Sequence, residues 1–248
     1  MKSITVVLLT ILAAGGASAA DDPEVQALLV RMDDLYRGTA SSHGKMTMRV
    51  KTNRFQREIS MEMWSEGAEK SLIRILGPAR DRGTATLKAD QNIWNYLPKV
   101  DRTIKVPVAM MSGSWMGSHL SNDDLVDSSR FSEDFQCHAV QKSESKQGFW
   151  LLECVPNEDA VVVYSKTTLK IRANNEIATE VTDYDERGNP VRTMMLSEID
   201  EISGRLYPRH IRMVPNDKPG EYTEMIYDEM EFDVRLPEDT FTLRSLKK

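Results

Sequence analysis

The sequence predicts a mainly β fold of the α+β class, on three observations. From about residue 45 onward, apolar residues recur at every second position in segment after segment, each bounded by turn-forming residues. Only one early stretch, 22–38, carries a strong helical period. A stretch in the middle, 107–126, follows neither rhythm. It lacks Asp, Glu, Lys and Arg from Val108 to Asn122 and mixes methionine and tryptophan with glycine and serine.

Residues 1–20 read as a secretory signal. Lys2 gives a positive start and Ile4 to Leu12 a short apolar run. Ala17-Ser18-Ala19 and Ser18-Ala19-Ala20 both fit a small-x-small site, so cleavage is expected after Ala19 or Ala20. The run is far short of the ~20 residues that span a bilayer. The exported product, 21–248, fits one large β domain of ~200–250 residues. Removing Lys2, the one charge in residues 1–20, takes the net charge from −6 to −7. That acidity, without a basic stripe interleaved with aromatics, argues against nucleic acid as a partner.

In the helix expected at 22–38, Asp22 is placed to cap, Pro23 suits the first helical position and Glu24 lies in the first turn. Val25, Leu28, Leu29, Met32 and Leu35 make one apolar face, which Tyr36 extends, and Gly38 is the expected stop. Strands are expected near 45–51, 55–63, 69–76, 84–89, 92–97 and 102–106. After the central stretch they resume near 135–142, 149–155, 161–173, 176–184, 190–200, 205–214 and 221–233. Met46, Met48 and Val50 alternate with Lys45, Thr47, Arg49 and Lys51. Phe55, Ile59, Met61 and Met63 share the next strand's face. Trp94 and Tyr96 share another. Gly77-Pro78, Pro98-Lys99, Asn174-Asn175 and Gly188-Asn189-Pro190 mark turns. In the last strand Tyr222, Ile226, Met230 and Phe232 oppose Thr223, Met225 and Tyr227, and the pattern does not decide which face turns inward.

Cys137 and Cys154 are the two cysteines. Their pairing axis falls between Ser145 and Lys146, inside an expected turn at Ser145–Gly148, so the two would face each other across a hairpin. In an exported chain this favours a disulfide over a pair of buried thiols.

Groups for catalysis are scarce. His43, His119, His138 and His210 lack metal-ligand spacing. Asp123 and Asp124 are adjacent on an expected short helix, so they do not converge on one point. They suit its first turn, with Ser121 or Asn122 as cap. There is no glycine-rich phosphate loop and no nucleophile elbow. No catalytic residue, metal or cofactor is therefore expected. Arg80, Arg82 and Arg102 would meet an anionic head group if their loops converge, and are otherwise solvated.

The central stretch offers Met110, Met111, Trp115, Met116 and Leu120 among small residues. Methionine is flexible and polarisable and suits variable apolar shapes. Gly113 and Gly117 allow bending. The stretch is either an apolar lid over a cavity or a loop whose apolar residues fill the core.

The run from Met110 to Ser118, Met-Met-Ser-Gly-Ser-Trp-Met-Gly-Ser, is followed by Asn-Asp-Asp-Leu-Val at 122–126. With Pro-Glu-Asp-Thr-Phe at 237–241, it resembles the LolA-like outer-membrane lipoprotein-sorting proteins, over residues 24–243. Within them it is most similar to an uncharacterised branch. The resemblance implies an incomplete antiparallel β-barrel of about 11 strands, covered by an N-terminal helix and a central helical or loop lid. It implies a periplasmic, non-enzymatic carrier that holds a lipid or the acyl chains of a lipoprotein in an apolar cavity and moves it between membranes. An inner-membrane lipid-exporting transporter would be the donor, with an outer-membrane acceptor. Met110, Met111, Trp115, Met116 and Leu120, with Met46, Met48, Met61, Met63 and Trp94, would then form lid and cavity.

Two other classes compete with this one. A small outer-membrane β-barrel needs strands of ~9–11 residues and aromatic girdles; aromatics are only 7% and several strands are short. A periplasmic hydrolase would need a positioned carboxylate or histidine, which nothing in the sequence supplies.

Overall fold

A computed structural model describes residues 22–37, 40–89, 91–126, 129–160 and 162–248. The signal segment 1–20 and the expected stop at Gly38 lie outside the described residues. The alternating segments form β1 (Ser41–Lys51), β2 (Gln56–Glu66), β3 (Lys70–Gly77), β4 (Ala85–Ala89), β5 (Asn92–Leu97) and β6 (Arg102–Lys105). After the central stretch come β7 (Phe135–Gln141), β8 (Phe149–Pro156), β9 (Lys166–Arg172), β10 (Ala178–Tyr184), β11 (Pro190–Ile202), β12 (Arg205–Pro215) and β13 (Tyr222–Phe232). The helices are α1 (Pro23–Arg37), α2 (Asn122–Val126) and α3 (Phe131–Asp134). The last of these has no counterpart in the sequence pattern.

The strands make one 13-stranded sheet, in the order β6-β5-β4-β3-β2-β1-β13-β12-β11-β10-β9-β8-β7. Neighbouring strands pair antiparallel throughout. Two meanders thus meet where β1 pairs with β13, and β6 and β7 lie at opposite ends of the order, so the sheet is not closed. The expectation of about 11 strands falls short by two. Each alternating segment becomes its own strand, down to the four-residue Arg102–Lys105.

The register sorts side chains into an inner and an outer face. On β1 and β2, Met46 opposes Met61 and Met48 opposes Ile59, and all four are buried. Inner positions continue across β3 (Ile73, Ile75) and along β12 and β13 (Met213, Met225, Tyr227). A bulge at Lys45/Met46 moves β13 by one residue against β1. Side chains alternate with a period of two, so the shift brings Met230 round to the side of Tyr227. The inward face of β13 therefore draws on both sets that the alternation separates.

Helix α1 covers one half of this inner face. The Glu24 amide donates to Asp22 Oδ1 at 3.1 Å, which caps the helix as expected. Val25, Leu28, Leu29 and Met32 are buried against Phe135, Trp150, Leu152, Leu169, Ile171 and Val181 of β7 to β10. Polar ties hold it there: Asp33 accepts from the Ser132 amide and hydroxyl at 2.8 and 2.7 Å, and Arg31 pairs with Glu176 through both carboxylate oxygens. Cys137 and Cys154 sit opposite each other in register and are joined by a disulfide, as the pairing axis predicts. On the outer face, the C-terminal segment lays Phe241 and Leu246 over Leu72, Leu87, Trp64, Trp94 and Tyr96 of β2 to β5.

Candidate functional site

The half of the inner face that α1 leaves is covered by residues 107–126. Two 3₁₀ turns, Val108–Met110 and Trp115–Gly117, lead into α2. The segment folds on itself: the Trp115 amide donates to Leu120 O at 2.7 Å, the Asn122 amide to Gly113 O at 3.0 Å and the Asp123 amide to Met111 O at 2.9 Å. Ser121 and Asp124 form a reciprocal cap, with the Ser121 amide donating to Asp124 Oδ2 and the Asp124 amide to Ser121 Oγ. The expected start of a short helix is thus present. Gly117 has φ +73°, and Met116 before it also lies in the left-handed region at φ 52°. A methionine held there costs about 1–2 kcal/mol, so surrounding contacts must hold the turn.

Those contacts are apolar below and polar at the rim. Trp115 is 3% exposed, and its indole N–H donates to Thr86 Oγ1 at 3.2 Å. Trp115 and Leu120 join Met46, Met48, Ile59, Met61, Ile75 and Met213 in one buried cluster, with Met63, Met116, Met194, Met225 and Met230 packed against it. Nine of the chain's 14 methionines therefore gather under or beside this segment.

At the rim, His119 donates its backbone N–H to Thr223 Oγ1 at 3.0 Å, and its ring spans Thr223 Oγ1 (2.9 Å from Nδ1) and Glu221 Oε2 (3.0 Å from Nε2). A carboxylate only accepts, so Nε2 carries the proton and Nδ1 accepts from the threonine hydroxyl. The Asn53 amide and then His119, both hydrogen-bonded to Glu221, hold its carboxyl below the usual range. A second tie runs from α2 into the sheet. Arg192 donates to Asp124 Oδ1 at 2.8 Å and to Asp183 Oδ2 at 2.7 Å, and Asp183 also accepts from Thr167 at 2.8 Å. Burial pulls the Arg192 pKa down, but Asp124 and Asp183 outweigh it and hold the guanidinium above its ordinary value. The guanidinium lies 4.7 Å from the centre of the Tyr164 ring, whose phenol burial pushes up to about 12.

A cleft of about 260 Å³ opens beside this cluster, lined by Tyr36, Ser42, Met63, Ser65, Gly67, Ala68, Tyr207, Tyr227, Met230 and Phe232. Tyr207 stands at its aromatic centre, 6.0 Å from Tyr36, 5.6 Å from Tyr227 and 5.3 Å from Phe232 between ring centres. The cleft therefore lies where α1, β1, β2, β12 and β13 come together. Ligand pockets run to ~300–1,000 Å³, so it is small for a lipid as it stands.

Of the residues singled out from sequence, Met46, Met48, Met61, Met63, Trp115, Met116 and Leu120 come together here. Met110 belongs to the covering segment but points outward, 61% exposed, and Met111 is half-buried. Trp94 is not brought to them. Its alternation puts it on the outer face, under the C-terminal segment. The aromatic lining of the cleft and the Arg192 tie were missed by the sequence reading, because their residues come from strands far apart in the chain. Among the described residues no three metal-ligating side chains gather, and no helix is long and apolar enough to cross a membrane.

Three solved structures share this architecture. A DUF1329 family protein from Desulfovibrio piger superposes with a TM-score of 0.79 at 21% identity, over 90% of this chain and 98% of that one. A protein domain from Vibrio parahaemolyticus, named for outer membrane lipoprotein sorting, gives 0.76 at 22% identity, over 90% and 98%. A LolA superfamily protein from Nitrosomonas europaea gives 0.71 at 23%, over 89% and 98%. These likenesses establish the fold. No curated protein matches. A family model described as "Uncharacterized protein" matches residues 67–248, well over half of the chain. The chain belongs to that family and carries the open, helix-covered sheet of the LolA-like structures.

Proposed function

We propose that the protein is a periplasmic carrier that takes a lipid, or the acyl chains of a lipoprotein, onto the inner face of its sheet and moves it between membranes. The observation that carries this reading is the methionine-rich inner face beneath a segment that is not itself sheet. Methionine adapts its shape at little cost, so a surface built from it accepts apolar chains of varied form. The cleft beside Tyr36 and Tyr207 is the mouth of this face, and residues 107–126 are the lid. Trp115 and Leu120 fill the space that an acyl chain would take.

The energies make exchange feasible. Burying each of the two side chains contributes roughly 1.5–3 kcal/mol. An acyl chain gains ~0.8 kcal/mol per buried methylene, so about four to eight methylenes match the pair. Gly113 and Gly117 are the proposed hinges. An inner-membrane lipid-exporting transporter and an outer-membrane acceptor are the partners this role requires. The LolA superfamily and lipoprotein-sorting names of two structural neighbours support the reading.

The test uses a variant in which Trp64, Trp94 and Trp150 are replaced by Phe, leaving Trp115 as the reporter. Long-chain lipid or lipopeptide added to the delipidated variant should shift Trp115 emission in a saturable way. Ligand binding shown independently, by mass spectrometry of the complex, with Trp115 emission unchanged would refute the lid assignment. An absence of any bound lipid from native periplasm, and of any binding in vitro, would refute the carrier.

A further inference from the structure

We propose that the β5–β6 corner of the sheet is a docking surface for an anionic phospholipid leaflet. Antiparallel pairing puts the β1–β2, β3–β4 and β5–β6 turns at one end of the molecule. The last two meet: a Cβ on Gly83 would lie 3.5 Å from Pro98 Cγ. Arg80, Arg82 and Arg102, scattered in sequence, are thereby gathered with Arg54 and Lys99 at this end, where the β1–β2, β3–β4 and β5–β6 turns themselves carry Asp81 and Asp101 as their acidic residues. Asp81 is bound by Arg57 and Arg80, and Asp101 by Lys247. Lys99, Arg102 and Lys105 make no ion pair among the described residues.

The turns of the other half, at the same end, carry Glu158, Asp159, Asp185, Glu186, Asp217 and Glu221 against Arg187 and Lys218. A chain of net charge −6 therefore presents one cationic corner and opposes it with an acidic one. This polarity orients the molecule at an anionic surface, with β6 toward it and the β8–β9 and β10–β11 turns away.

From this corner along β6, a continuous piece of chain exposes apolar side chains. Leu97 and Val100, at 59%, stand in solvent at the turn, Ile104 on β6, and Val108, at 90%, and Met110 just past its far end, with Lys99, Arg102 and Lys105 interspersed. Isolated exposed apolar residues are ordinary. Here five fall within 97–110, on and beside the terminal strand β6. Apolar tips that enter the head-group boundary, ringed by cations that meet lipid phosphates, are the composition of an interfacial anchor. The segment leads directly into residues 107–126, so docking would set the covering segment against the leaflet. That last consequence rests on the carrier reading; the docking surface itself does not.

The experiment is co-sedimentation of the full mature chain with vesicles of phosphatidylethanolamine and phosphatidylglycerol, and with phosphatidylcholine vesicles as the neutral arm. Binding to the anionic vesicles is expected, falling at high salt because exposed charges are screened. A membrane-proximal basic residue contributes ~1 kcal/mol, about fivefold in affinity. Lys99→Gln with Arg102→Gln should then weaken binding by tenfold or more. Val100→Ser with Ile104→Ser should weaken it while the salt dependence remains. Circular dichroism and the Trp115 ligand response should be unchanged in both variants, which separates this test from that of the carrier. Equal binding to both vesicle types, no binding to either, binding untouched by the charge variant, or capture of a protein partner by the corner in place of vesicles would overturn the proposal.

Discussion

Replacing Trp115 by alanine separates a lid from ordinary core. The side chain is 3% exposed and donates one hydrogen bond to Thr86. Truncating a buried tryptophan costs ~3–5 kcal/mol. If residues 107–126 open independently of the sheet, that cost falls on the closed form of this segment alone. At ~1.4 kcal/mol per decade, the open fraction rises by about two to three and a half orders of magnitude. Native-state hydrogen exchange reads this directly. The Trp115, Ser118 and Asn122 amides, bonded to Leu120, Trp115 and Gly113 carbonyls, should lose protection by that factor. Amides of β1, β2, β8 and β9 should exchange as before. If protection instead falls across the whole sheet, and denaturant unfolding shows the full 3–5 kcal/mol, the segment is part of the cooperative core. The lid reasoning would then fail.

Three further outcomes follow from the rim and the hairpin. Arg192→Leu strands Asp183, whose side chain is 7% exposed, without its cation. Loss of one partner of a buried pair costs ~3–5 kcal/mol, which urea unfolding should show, while Arg192→Lys should recover part of it. The Glu221 carboxyl is held low in the folded state, so its contribution is present above its ordinary value of 4.5 and is lost as pH falls through the lowered one. Protection of the His119 amide, taken relative to the unstructured rate at the same pH, should therefore fall on acidification below about pH 4.5, and Glu221→Gln should flatten that dependence. Cys137→Ser with Cys154→Ser opens a loop with a sequence separation of 17. The chain-entropy model gives about 3 kcal/mol for it, and the local hairpin makes that an upper bound; thermal unfolding of the oxidised protein and of the variant measures the difference.

How much of this was legible in the sequence depends on the range of the interaction. Alternation is local, so every strand segment was placed, and so was the α1 face from Val25 to Met32. The disulfide was legible because a hairpin fixes its own register. Long-range register was not. The β13 face could not be assigned because Asp228 is skipped in its pairing with Lys45 and Met46 of β1, a bulge that switches which β13 residues turn inward and that only the long-range pairing reveals. Trp94 shows the same limit: alternation gave its partners on the strand but not the side on which the C-terminal segment would lie. The central stretch was recognised by composition, yet what fastens it comes from Thr223, Glu221 and Arg192, a hundred or so residues away in the first two cases. The same separation gives these fastenings their role. Thr223 and Arg192 tie the segment to β13 and β11 and Glu221 to the turn before β13, all in the second meander, whereas Trp115 donates to Thr86 in the first. Opening the segment must therefore break polar ties to the second meander, the Trp115–Thr86 hydrogen bond to the first, and the apolar contact with the cluster beneath. An acyl chain replaces only the apolar contact. The Asp124–Arg192 and His119–Glu221 ties, broken on opening and not replaced by the acyl chain, re-form once the chain has left and draw the segment back.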